Sequence, residues 1–157
     1  MRRRAVAAVA VTAAVVAGGL SSCGDDDAPP PSSSASGIEV SAAWARPTPA
    51  GTTVGAVYLT LRSGDEDALM AVHVDPAIAG GAAVHETMTE GSDGMMTMTP
   101  VSALALAPGD DVVLDPGGDH VMLTDLAAPL TDGETFPIEL EFRDHAPVTV
   151  TVVVGNP

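Results

Sequence analysis

Residues 53–62 read TVGAVYLTLR. Val54, Ala56, Tyr58 and Thr60 alternate with Gly55, Val57, Leu59 and Leu61. Successive side chains of a strand point to opposite faces, so this period of two predicts a β-strand, not a helix. The same alternation recurs in FPIELEF (136–142) and VTVTVVV (148–154).

Outward from these three segments, the chain continues as short β-type runs separated by Gly, Pro and Asp turns. The others are IEVSAAWA (38–45), ALMAVHVD (68–75), AAVHETMT (82–89), GMMTMTPV (94–101), DVVLD (111–115) and HVMLTDL (120–126). DPGGD (115–119) and TDGET (131–135) are hairpin or turn signals. No convincing amphipathic helix and no fixed-period repeat is present. About seven to nine short strands at this spacing predict an all-β Greek-key sandwich or barrel. Aromatic residues make up only 3% of the chain, so the expected core is Val, Leu and Ala, with Trp44, Phe136 and Phe142 as its large members.

The N-terminal end reads differently. MRRR, an Ala/Val run and LSSC (20–23) follow in order, the pattern of a secretory signal over residues 1–22. The apolar run is short of the ~20 residues of a membrane span. LSSC resembles a bacterial lipobox, which implies cleavage before Cys23 and lipidation of that cysteine. Residues 23–37 are rich in Asp, Pro and Ser and read as a flexible tether. The globular domain is then 38–157.

Cys23 is the only cysteine. An intrachain disulfide, a thiolate metal cage and a CxxC redox pair are therefore excluded. Without residues 1–22, three arginines face 21 acidic residues and no lysine, a net charge of −18. Such a surface repels nucleic acid and anionic headgroups, leaving the lipid anchor as the expected membrane attachment.

Methionine is unevenly placed. After the initiator six remain, and five of them (Met88, Met95, Met96, Met98, Met122) lie between residues 88 and 122. Methionine is often an adaptable core filler, but that does not account for clustering in a Val/Ala/Leu chain. In HVM (120–122), His120 and Met122 share a face if the segment is a strand. Thioethers are soft, neutral ligands suited to Cu(I), and imidazole binds copper as well. A His/Met set carries no thiol to oxidise outside the cytoplasm. HVM therefore reads as half of a soft-metal site. His73 reads as a strand-surface residue and His145 as a turn residue. Asp119–His120 and Asp144–His145 look like dyads, but no Gly-x-Ser-x-Gly elbow accompanies them. A blue-copper centre is excluded because it wants a cysteine thiolate.

Met98 and His120 are separated by 21 residues, and His120 and Met122 by one. With VHETM, MTMTPV and LDPGGDHVMLTDL, this spacing resembles the PCuAC periplasmic copper chaperones across the whole globular part. Their motif is His-x10-Met-x21-His-x-Met. The resemblance implies a cupredoxin-like sandwich and a Cu(I) site of His85, Met98, His120 and Met122. It further implies a non-enzymatic metallochaperone that delivers copper to the CuA centre of cytochrome c oxidase, often with a thiol-based partner. The sequence departs from the motif at one place. Twelve residues, not ten, separate His85 from Met98, which places a two-residue insertion in the acidic turn 89–94. Ten separate His85 from Met96, so Met96 is the substitute ligand on the same face. A second site, for Cu(II), could use His73, His145 or the acidic tether. The alternative expectation is a non-metal β-sandwich lipoprotein acting as an interaction module, with its methionines as core.

Overall fold

The computed structural model describes residues 33–35, 37–90 and 95–156, which contain strands and no helix. The signal segment, Cys23 and turn residues 91–94 lie outside the described residues. The strands are β1 (Ser33–Ala35), β2 (Ile38–Ala45), β3 (Val54–Ser63), β4 (Asp67–Val74), β5 (Ala79–Glu90), β6 (Met95–Pro100), β7 (Leu104–Leu106), β8 (Asp111–Leu114), β9 (His120–Leu126), β10 (Thr135–Phe142) and β11 (Val148–Val154). All nine runs read from the sequence are strands. The two unread strands, β1 and β7, have three residues each, too few to show a period. β1 lies within the stretch assigned to the tether and pairs with Ile38–Val40.

The strand order is β6-β5-β9-β3-β2-β11-β10-β4-β7, with β1 on β2 and β8 on β3. The path has two ends, β6 and β7, and does not close. All pairings between these strands are antiparallel except β2–β11, which is parallel and joins the two halves through Trp44 and Ala45. β3 organises one half. One edge pairs with β2; the other is divided, Val54–Val57 to β9 and Leu59–Arg62 to β8.

Alternation places the core. Phe136, Ile138, Leu140 and Phe142 of β10 point inward, as do Val148, Val150, Val152 and Val154 of β11. Val57, Leu59 and Leu61 of β3 and Val121 and Leu123 of β9 meet them from the other half. Full burial of each such side chain is favourable by roughly 1.5–3 kcal/mol.

Trp44 departs from expectation: it is only partly buried and lies outside the core cluster. The cause is a bulge. Ser41 pairs with Thr60 and Trp44 with Tyr58, so β2 spends one extra residue there, with Ala42 at φ 52°. An extra residue inverts the face of everything after it. Ala43 and Ala45 turn inward, and Trp44 turns outward against Tyr58, with ring centroids 4.6 Å apart. Phe136 and Phe142 are the large aromatics of the core.

Candidate metal centre

The outward face of β6-β5-β9-β3 collects the predicted residues. His85 of β5 pairs directly with His120 of β9. Met122 lies between Ala83 of β5 and Ala56 of β3, two small neighbours that leave a long thioether room to move. Met98 of β6 is opposite Thr87, one diagonal step from His85. These positions share a face because β5, β6 and β9 keep an even register with one another. The core residues Val84, Val121 and Leu123 are on the opposite face.

The two imidazoles stack with centroids 6.1 Å apart and planes at 26°. His120 is buried, and its Nδ1 donates to the Gly118 carbonyl at 3.0 Å. That bond leaves Nε2 with a free lone pair. Thr87 Oγ1 donates to the same carbonyl at 2.8 Å, so one oxygen ties β5 to the turn before β9. A Cβ at Gly118 would meet Asp115 Oδ1 at 2.5 Å, so a larger residue there would force the Asp115 carboxylate to move. Nδ1 of His85 is buried with no hydrogen-bond partner among the described residues. Burial, together with His120, holds the His85 pKa below the usual histidine value. His85 is thus neutral near pH 7 and offers a lone pair, as a metal ligand must.

Met98, His120 and Met122 line one cavity of about 410 Å³, beside Tyr58 and Arg46. His85 is not part of this lining; its ring stacks on His120, which is. Met98 is the open side, 57% exposed. Met96 pairs with Thr89, one further repeat along β5 from His85, and its side chain lies outside the described residues. Among the described residues, no three His, Cys, Asp or Glu side chains converge to hold a metal. The side chains on this face that could hold a metal are the imidazoles of His85 and His120 and the thioethers of Met98 and Met122, donor types that suit a soft monovalent ion better than a hard divalent one.

Three neighbours went unnoticed as site residues. Tyr58 packs its ring 6.4 Å from that of His120, Trp44 backs Tyr58, and the Arg46 guanidinium carbon lies 6.0 Å from the Tyr58 ring centre. In the alternation of residues 53–62, Tyr58 shares a face with Ala56, which pairs with Met122, and that parity was the available signal. The other histidines are elsewhere. His73 is exposed on β4, with Nε2 2.9 Å from Glu141. His145 does not use Asp144, which pairs with Arg143; its Nδ1 donates to buried Asp67 at 2.6 Å. Asp119 belongs to the turn before β9.

Comparison with known proteins adds independent findings. The family model described as "Putative lipoprotein LpqE-like" matches residues 38–154. "Putative lipoprotein Lxx21020" of Leifsonia xyli subsp. xyli is 31% identical over 123 residues, covering 78% of this chain and 72% of the relative. Among solved structures, the copper-bound PCuAC domain from PmoF2 superposes with a TM-score of 0.65 at 23% identity, covering 80% of this chain and 98% of that one. The CuI form of DR1885 from Deinococcus radiodurans matches with a TM-score of 0.53 at 29% identity, over 71% of this chain and 74% of that one. The fold is that of the PCuAC domains, all-β and cupredoxin-like.

Proposed function

The chain belongs to the LpqE-like family, and on that footing we propose that it is an extracytoplasmic Cu(I) carrier. His85, Met98, His120 and Met122 are its ligands. The observation that carries this reading is the register: His85 and His120 are opposed across β5–β9, and Met122 and Met98 stand on the same face beside them. The same register favours Met98 over Met96. The copper-bound PmoF2 domain and the CuI form of DR1885 share the fold, which supports copper as the cargo.

The ligands divide the labour. His120 is held by Gly118 and stays in place. Met98 is exposed, so an incoming donor displaces it first. Neutral thioethers hold Cu(I) less tightly than thiolates, which suits transfer to a thiol-bearing acceptor. No catalytic step is involved. The PCuAC resemblance supports the CuA centre of cytochrome c oxidase as the destination. The lipobox resemblance and the lipoprotein description of the relative support an anchor at Cys23 on the outer face of the cytoplasmic membrane. Of the remaining histidines, His73 beside Glu141 is the one able to take a second ion, as Cu(II), because Asp67 holds His145.

A Cu(I) competition titration of the full chain in detergent tests this. One equivalent should bind, and His120→Ala and Met122→Leu should each weaken binding by at least about tenfold, or 1.4 kcal/mol. No binding by the unaltered chain would return HVM to ordinary strand packing.

A further inference from the structure

Three arginines belong to the folded domain, and two are neutralised. Arg62 meets Asp111 at 3.3 Å and Arg143 meets Asp144 at 2.7 Å. Arg46 has no carboxylate partner among the described residues. It stands at the rim of the metal-site cavity, over Tyr58. None of the residues lining that cavity is Asp or Glu, although the chain contains 21. Among the described residues, the one arginine without a carboxylate partner lines the same cavity as Met98, His120 and Met122.

The rim that carries it is preformed. Arg46 N–H donates to the Ala56 carbonyl at 3.3 Å, Thr48 N–H to the Leu130 carbonyl at 3.0 Å, and Leu130 N–H to Thr48 Oγ1 at 2.8 Å. Pro47 and Pro49 fix φ on either side of Thr48, and Pro116 lines the same cavity. A surface already ordered loses little entropy when a partner seats on it.

We propose that this rim docks an acidic segment of a copper-exchanging protein, with a carboxylate of that segment on Arg46 and its metal donors above Met98. This rests on the copper reading for the partner's identity, not for the contact. Charge complementarity selects the occupant. At physiological salt the protein's overall negative field is screened within ~8 Å. A carboxylate-bearing segment is then attracted only where a local cation faces it, and Arg46 supplies that point on this face. A guanidinium receives a carboxylate through two parallel hydrogen bonds, which fixes orientation as well as position. The carboxylate seat is thereby coupled to the open ligand, Met98, across one cavity.

The test uses two short synthetic peptides, each with a Met-x-Met pair, one followed by Asp-Glu and its twin by Asn-Gln. Binding to the metal-free full chain in detergent is followed by NMR shifts of the amides at 46–58. Because copper is left out, a failure of the copper reading does not decide this experiment. The acidic peptide should bind at least about fivefold tighter than its twin. Arg46→Gln should abolish the preference, and Arg46→Lys should retain part of it, which shows that the rim still folds. Equal affinity for the twins, or a preference that survives Arg46→Gln, overturns the proposal. So does acetate competing as well as the acidic peptide per carboxylate, since the seat would then take any small anion.

Discussion

His85 and His120 face one another across β5 and β9 but are provided for unequally: Nδ1 of His120 has the Gly118 carbonyl, and Nδ1 of His85 has no partner among the described residues. An unsatisfied buried nitrogen costs about 1–3 kcal/mol. If His85 is a ligand, as proposed, the metal ion would use a ring lone pair that the metal-free fold leaves unpaired. Replacing the ring by an apolar side chain therefore has opposite effects on the two states. His85→Leu should leave the metal-free protein unfolding at or above the wild-type temperature, while Cu(I) affinity falls at least about tenfold. Thermal unfolding with and without Cu(I) reads both. A large loss of metal-free stability would mean that His85 is a structural residue.

Register separates the two candidate methionines. Met98 is opposite Thr87 and Met96 opposite Thr89, about 7 Å further along the strand at 3.4 Å per residue. Leucine keeps methionine's volume and removes the sulfur, at less than about 1.5 kcal/mol in stability. Met98→Leu should weaken Cu(I) binding by about tenfold or more, and Met96→Leu should change it less than about twofold. Competition titrations of the two variants decide the matter; the reverse order would move the ligand to Met96.

Ala42 occupies the left-handed region at φ 52°, where a Cβ is crowded. Ala42→Gly should raise stability by up to about 1 kcal/mol, the relieved strain being partly offset by glycine's greater chain entropy. Ala42→Val should lower it by more than about 1 kcal/mol. Denaturant midpoints give both numbers. Because the bulge sets which way Trp44 faces, the valine variant should also shift the emission of this sole tryptophan.

Asp67 and His145 clasp the start of β4 to the β10–β11 turn. Burial alone would raise the Asp67 carboxyl, but hydrogen bonds from His145 and from the Ala68 and Asp144 amides outweigh it and hold its pKa below the usual 3.8. A carboxylate whose pKa is depressed on folding adds stability above its unfolded value, and that stability is lost as pH falls through the folded value. The Asp67 contribution should therefore be complete at neutral pH and fade below about 3.8. Asp67→Ala should cost about 3 kcal/mol at pH 7, since it leaves buried donors unpaired. The difference from wild type should shrink as the pH is lowered below that value. A difference independent of pH would mean that packing, and not charge, holds the clasp.

Much of the sheet was legible because period-two alternation survives in short segments. β10 and β11 show it without interruption, and Phe136 and Phe142, expected in the core, are among their inward residues. His120 and Met122 were legible as a pair for the same reason: a strand aligns i and i+2 without help from any other segment. The joining of His85 to them was implied by the family resemblance and not by any local pattern. It depends on which β5 residue pairs with which β9 residue, and that is set by the packing of Val84, Val121 and Leu123 on the core face. Trp44 illustrates the limit. Its place in IEVSAAWA predicts an inward side chain, and one bulge reverses it. His145 illustrates another, since its partner is 78 residues away at Asp67 and the adjacent Asp144 turns to Arg143.

The sequence by itself determined the β class, the inward face of the regular strands, the absence of thiolate chemistry in the domain and the clustering of soft donors between residues 85 and 122. These are local properties: pleat parity, composition and donor chemistry act over a few residues. Only the tertiary structure decided that His85 is opposite His120, that Met98 is nearer than Met96 to His85 in the strand register, that Trp44 faces outward, and that Arg46 has no carboxylate partner among the described residues. Those follow from strand register and from which charges find partners. Both are set by how the core packs across the whole chain, and no local pattern encodes that.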